Sequence, residues 1–257
     1  MTKYVVQFSG GVGSWAAAQR LVDAHGPQSV DLLFADTLME DEDLYRFMAE
    51  AVESLDARFI KIQDGRDPWG VFNDVRFLGN TRADPCSRVL KRDLLWSYMR
   101  ANYDPTDSVI CFGIDFTEEH RLRNVQKRNP DWVISAPMCE PPYKSKQAML
   151  EDLAAVGIKP PRLYKLGFPH NNCGGFCVKA GQAHFELLLR TMPERYAYHE
   201  NKEQEIRALL GNVSILRDRT GGNTRPMTLA EFRLRIESQP SLFDRYEWGG
   251  CGCALGE

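Results

Sequence analysis

Apolar and polar positions alternate between two regimes along this chain. Apolar runs rich in β-branched residues occupy residues 4–8, 30–35, 58–62, 108–113 and 132–136. Between them, apolar residues recur at helical spacing: Trp15, Ala18, Leu21 and Val22 share one face, as do Leu44, Phe47, Met48, Ala51 and Leu55. Val89, Leu90, Leu94 and Met99 continue the pattern before the fourth run. Strands alternating with helices at these distances predict right-handed crossovers and an α/β fold with a parallel five-stranded sheet. Helices cover both of its faces.

After Pro137 the alternation stops. From Lys144 onward the pattern predicts helices and loops, with Phe185, Leu188, Leu189 and Met192 forming a core-facing stripe. The expected organisation is an α/β domain over residues 1–140 and a mainly helical region over residues 141–257, packed across the active edge of the sheet. No internal repeat or low-complexity segment interrupts this order.

The chain has 257 residues, 43% of them hydrophobic and 26% charged, enough for a sizeable core. Its net charge of −3 argues against a global attraction to nucleic acid or anionic membrane. No apolar run approaches a membrane span, and the start lacks the long apolar region of a signal peptide. The cytoplasm is the expected compartment, so the seven cysteines are not read as disulfides.

The first run breaks into Ser9-Gly10-Gly11-Val12-Gly13-Ser14 before a helical pattern resumes. In open α/β sheets ligands sit beyond the carboxyl ends of the strands, where this turn lies. Its glycines permit positive φ and close backbone approach, and the following helix start offers unpaired N–H groups to an anion. The turn carries neither Gly-Lys-Ser/Thr nor GxGxxG.

"SGGVGS" resembles the pyrophosphate loop of the adenine nucleotide α-hydrolase superfamily. "FADTLMEDEDLYRFM", "ADPCSRVLKRD", "CFGIDFTEEHRLRN" and "LYKLGFPHNNCGGFC" resemble, in order, segments of its phosphoadenosine phosphosulfate reductase-like family. The resemblance implies a Rossmann-like fold that binds ATP or a sulfated adenylate with Mg2+. It implies nucleotide contacts from Ser9, Gly10, Gly11, Val12, Gly13 and Ser14, and from Asp36, Gly113 and Arg121. Three positions depart from the family: Gly13 where many members have Asp, Asp115 where Arg is usual, and a Cys173–Cys177 spacing one residue longer.

Asp36, at the end of the second run, is expected to meet the nucleotide or magnesium, with a helix cap as the plain alternative. Arg121 and Arg123 are placed to steady phosphate charge or to form a solvated face. Arg217, Arg219 and Arg225 form a second basic group with the same two readings. Cys111 reads as a small buried hydrophobe, and Cys139, which follows another apolar run with no partner nearby in sequence, reads as equally plain.

Cys86, Cys173, Cys177, Cys251 and Cys253 all fall in turns rich in Gly, Pro or Asn. Thiolates favour iron–sulfur clusters and zinc. The expectation is a 4Fe-4S cluster held by Cys86, Cys173, Cys177 and one of Cys251 and Cys253, with Zn2+ as the competitor. A tail cysteine acting as a mobile nucleophile is a third reading, and makes Cys251 and Cys253 catalytic candidates beside Asp36 and Arg121.

Together these point to an enzyme that adenylates an acceptor and transfers sulfur to it, the acceptor being a nucleic acid or a small molecule. Reductive release of sulfite from an activated sulfate is the alternative within the same family. A nucleotide sensor without turnover is the alternative outside it. The partners expected are an adenine nucleotide and a sulfur donor or reductant protein; a homodimer stays open, and no membrane is expected.

Overall fold

A computed structural model describes residues 2–80, 83–219 and 224–238. Five parallel strands form the central sheet in the order β3-β2-β1-β4-β5. They are β1 (Lys3–Gln7), β2 (Val30–Asp36), β3 (Arg58–Gln63), β4 (Ser108–Cys111) and β5 (Val133–Ser135). All five apolar runs are therefore strands, in the expected order. The β-branched apolar runs decide this, because the inner strands of a parallel sheet are buried on both faces. β2 is buried along its whole length.

Helices α1 (Val12–His25) and α2 (Glu42–Leu55) follow β1 and β2. Leu44, Phe47, Met48, Ala51 and Leu55 of α2 are all buried. Each of the Leu, Phe and Met side chains contributes about 1.5–3 kcal/mol on burial. Asp41 starts α2 by accepting the Asp43 N–H at 2.9 Å. After β3 come α3 (Pro68–Asp74) and α4 (Pro85–Ser87), then a π-helical turn at Arg88–Asp93 that runs into α5 (Leu94–Asn102). α6 (Glu119–Arg128) lies between β4 and β5.

The chain leaves β1 toward β2 on one side, while β4 pairs with β1 on the other. The strand order thus reverses between β1 and β4. The crevice beyond the carboxyl ends of those two strands is where an open α/β sheet takes its ligand.

Beyond β5 lie α7 (Lys146–Ala155), α8 (Arg162–Lys165), α9 (Gln182–Thr191), α10 (Pro193–Leu210) and α11 (Leu229–Ser238). Met149 and Leu153 of α7, with Ile158, join the same core cluster as Trp15, Ala18 and Leu21 of α1. A separate cluster holds Phe185 and Leu188 of α9 with Tyr196, Ile206 and Phe232. Within it, the buried Glu203 carboxylate accepts the N–H groups of Ile215 and Leu229 at 2.9 and 2.7 Å. Burial outweighs those bonds and pushes its pKa up to about 7.

One element departs from the helices-and-loops expectation. β6 (Leu216–Asp218) and β7 (Arg225–Met227) pair as an antiparallel ribbon. Their three-residue length and the Arg, Asp and Pro within them leave no alternating apolar signal. No helix among the described residues is long and apolar enough to cross a membrane.

Candidate active site

The turn after β1 uses its three glycines in three different ways. Gly10 has φ +76°, and a Cβ there would lie 2.9 Å from Leu44 Cδ1. Gly11, by contrast, has φ −96° and is extended backbone at the start of α1. The positive-φ expectation therefore holds for Gly10 and not for Gly11. Gly13 answers to a third demand: a Cβ there would stand 2.5 Å from the Gly113 carbonyl oxygen. A Cβ on Gly113 would in turn stand 2.3 Å from the Ser14 nitrogen. The β1 and β4 turns touch backbone to backbone, leaving no room for a side chain at position 13 in this arrangement.

No side chain caps α1 at Gly11, and its first turn holds no acidic residue. The start of this helix is left open to an anion. Ser14 donates its hydroxyl to the Gly11 carbonyl at 2.8 Å, and the Ser9 and Ser14 hydroxyls lie 3.5 Å apart. The Tyr164 hydroxyl, from α8, accepts the Val12 N–H at 3.3 Å. Asn171 donates to the Gly10 carbonyl at 3.2 Å. The helical region thus fastens the turn from above.

A cleft of about 530 Å3 opens beside the turn. Ser9, Gly11, Val12, Gly13, Ser14, Gly113 and Arg121 all line it, whereas Gly10 and Asp36 do not. Arg121 is paired with Glu118 at the cleft wall. Lys91, Lys146, Asn171 and His184 line it as well, and sequence reading did not single them out. Lys91 carried a signal, as the last residue of "CSRVLK". Lys146 sits 4.3 Å from the Tyr164 ring centroid, and burial lowers its pKa against the opposing pull of Asp115 and Glu118. His184 belongs to an otherwise core-facing helix and gave no local signal. Its Nε2 lies 2.8 Å from the Gly175 carbonyl. Burial, reinforced by neighbouring His170, brings its pKa down to about 4. A neutral ring whose Nε2 donates to that carbonyl keeps Nδ1 as an acceptor.

Asp36 ends β2 fully buried, with its oxygens already engaged. They accept from the Leu38 N–H at 2.9 Å and the Tyr45 hydroxyl at 2.8 Å, and meet Lys61 Nζ at 2.6 Å. Burial would raise its pKa, but the Lys61, Leu38 and Tyr45 bonds prevail and hold it below the ordinary value. It caps no helix; Asp41 does that for α2.

Cys86, Cys173 and Cys177, far apart in sequence, line one small pocket with Thr37, Lys91 and Lys179. Cys173 has φ +49°, followed by Gly174 at +58° and Gly175 at +80°. That left-handed run wraps the Arg195 guanidinium, which donates to the Met39 and Cys173 carbonyls. A Cβ on Gly174 would lie 1.9 Å from Arg195 Nη2. Glu40 completes the frame by accepting the Thr37 hydroxyl at 2.9 Å and the Cys173 N–H, and by pairing with Lys91 Nζ at 3.4 Å. Cys251 and Cys253 lie outside the described residues.

The fold has solved counterparts. A phosphoadenylyl-sulfate (PAPS) reductase from Candida auris, in a phosphate complex, matches over 64% of this chain and 78% of its own, at 11% identity and a TM-score of 0.44. An NMN synthetase from Francisella tularensis matches over 75% and 86%, at 12% identity and a TM-score of 0.41. An NH3-dependent NAD synthetase from Campylobacter jejuni subsp. jejuni, in complex with nitrate ion, matches over 82% of each chain, at 12% identity and a TM-score of 0.40. No protein-family model and no curated protein sequence matches the chain. These values describe likeness in the path of the chain.

The remaining sequence candidates lie apart from the cleft. Arg123 is exposed and pairs with Glu119 at 3.2 Å. Arg225 pairs with Asp218 at 2.9 Å across the β6–β7 ribbon. Cys111 is buried, and burial pushes its thiol up to about 12. Cys139 is half-buried against the Ile114 carbonyl; burial and the carboxylates of Glu119, Asp115, Glu140 and Glu118 push it up to about 11.

Proposed function

We propose that the cleft binds ATP through the turn at residues 9–14 and that the chain adenylates an acceptor and then replaces the adenylate with sulfur. The observation that carries this reading is Lys91, which lines both the cleft and the three-cysteine pocket. Lys91 thus borders both the space read as taking phosphates and the thiols read as carrying sulfur.

In the first step an acceptor oxygen attacks the α-phosphorus. The bond to the β-phosphate oxygen breaks and pyrophosphate leaves. The N–H groups of the first turn of α1 other than that of Val12, with Arg121 and Lys146, hold the phosphates and the charge that builds on the leaving group. In the second step a persulfide, delivered by a sulfur donor to one pocket cysteine, attacks the carbon bearing the adenylate. The C–O bond breaks and AMP departs. A second pocket thiolate then attacks the cysteine sulfur of the new S–S bond, which frees the thiolated acceptor and leaves a protein disulfide. A thiol reductant restores both thiols.

Softness suits the three thiols to iron or zinc. The space they enclose, however, is about 20 Å3, room for roughly one water. Among the described residues no group of three or more His, Cys, Asp or Glu side chains is placed to hold a metal ion. The described pocket therefore does not fit a 4Fe-4S cluster, and the reaction above is carried by the chain's own residues.

Pyrophosphate release from ATP and Mg2+, measured with candidate nucleic-acid and small-molecule acceptors and a persulfide donor, tests the reading. Acceptor-dependent release supports it. ATP binding without release under every acceptor makes the chain a sensor, and sulfite formed from a sulfated adenylate makes it a reductase.

A further inference from the structure

Gln7 closes β1, the middle strand of the sheet, and lines the cleft. It shares its face of the strand with Val5 by the two-residue alternation. The neighbours on that face are apolar: Val5, Leu33, Ile110, Phe112 and Ile114 pack into one cluster. Gln7 is 7% exposed, and neither its Nε2 nor its Oε1 has a hydrogen-bond partner among the described residues. A buried amide left unpaired on both atoms is costly, and an apolar residue would sit there more comfortably.

Asn171 adds a second partnerless acceptor to the same cleft, its Oδ1, while its nitrogen is committed to the Gly10 carbonyl. Phosphate oxygens only accept and cannot satisfy these oxygens. The ligand must bring N–H or O–H groups as well as phosphates. Gln7 offers a donor and an acceptor side by side, the pair that matches the 6-amino group of adenine and the ring nitrogen next to it. We propose that Gln7 is a specificity-determining residue that takes up the 6-amino edge of the adenine base. Its unbranched side chain turns the shielded amide toward the cleft it lines once the base arrives. The inference rests on the nucleotide reading above.

The test is a cycle between residue and ligand. Affinities for ATP, for purine riboside triphosphate (which lacks the 6-amino group) and for 2′-deoxy-ATP are measured by calorimetry for the native chain, Gln7→Met and Gln7→Glu. Removing the amino group is expected to cost the native chain about tenfold, one hydrogen bond's worth, and Gln7→Met next to nothing. Gln7→Glu, which keeps the acceptor, retains part of the discrimination. Gln7→Met is also expected to melt no lower than the native chain, since it removes an orphaned amide. Equal losses in native chain and Gln7→Met overturn the assignment while leaving nucleotide binding intact. Coupling to the 2′-hydroxyl in place of the amino group also overturns it. Failure of the native chain to bind ATP at all overturns the nucleotide reading, and this assignment with it.

Discussion

Gly13→Ala is the sharpest probe of the site, because two effects of known size pull in opposite directions. Gly13 is the second residue of α1. Helix propensity alone favours alanine there by up to about 1 kcal/mol. Against this, the new Cβ would lie 2.5 Å from the Gly113 carbonyl oxygen, a backbone atom that cannot swing aside. Restoring an ordinary 3.4 Å contact requires the β1 and β4 turns to part by about 0.9 Å (3.4 − 2.5). Overpacking of this kind costs about 1–3 kcal/mol, so the contact prevails and the variant is destabilised. At a urea slope of about 2 kcal/mol/M, a net loss of about 1–2 kcal/mol lowers the midpoint by roughly 0.5–1 M. The turns also wall the cleft, and a displacement near 1 Å is expected to cost about a hundredfold in turnover. Gly211→Ala is the control, since Gly211 has φ +82° with nothing within 4 Å of a Cβ. It should lose about 1–3 kcal/mol of stability and no activity. Gly13→Ala with native midpoint and native ATP affinity would refute the close contact. Gly13→Asp, which installs the residue common in the resembled superfamily, should behave no better than the alanine.

Arg121→Ala is expected to weaken ATP binding by about ten- to a hundredfold, the loss of one charge-assisted contact of about 1.5–3 kcal/mol; calorimetry showing native affinity would return Arg121 to a merely structural pairing with Glu118. Cys86→Ser and Cys177→Ser are each expected to abolish sulfur transfer while sparing acceptor-dependent pyrophosphate release, and intact transfer in either variant would remove that thiol from the relay. His184 titrates near 4 in the folded chain against 6.5 in its ordinary state. The unfolded chain therefore binds the extra proton first, so stability is full above pH 6.5 and falls as pH drops toward 4, by up to about 3 kcal/mol. Urea melts across that range should show a shallower slope in His184→Gln, and an unchanged slope would contradict the neutral buried ring.

The sheet was readable because a parallel strand buried on both faces is mostly apolar, Asp31 being the one charged residue within 30–35. Residues 30–35 could hardly be anything else, and β2 is buried end to end. The turn at residues 9–14 was readable because three glycines so close together have few uses, although which glycine serves which use was not. That depended on Leu44 and Gly113, partners distant in sequence. Lys146, Tyr164, Asn171 and His184 reach the cleft only because the helical region folds over it, and nothing in their local pattern reports that approach. Asp36 shows the converse. Its position after a strand suggested a ligand, while Lys61 and Tyr45, each ordinary in sequence, had already claimed its oxygens.

The sharing of one core cluster by α1 and α7 has a consequence for how the chain is made. Trp15, Ala18 and Leu21 are synthesised more than a hundred residues before Met138, Met149, Leu153 and Ile158 of the same cluster. Contacts so distant in sequence pay their loop-closure entropy before they return any stability. A nascent chain halted at residue 140 would carry all five strands and still present α1 with an open apolar flank to water and to chaperones. The turn at residues 9–14 is thus synthesised well before the segments that give it its final shape.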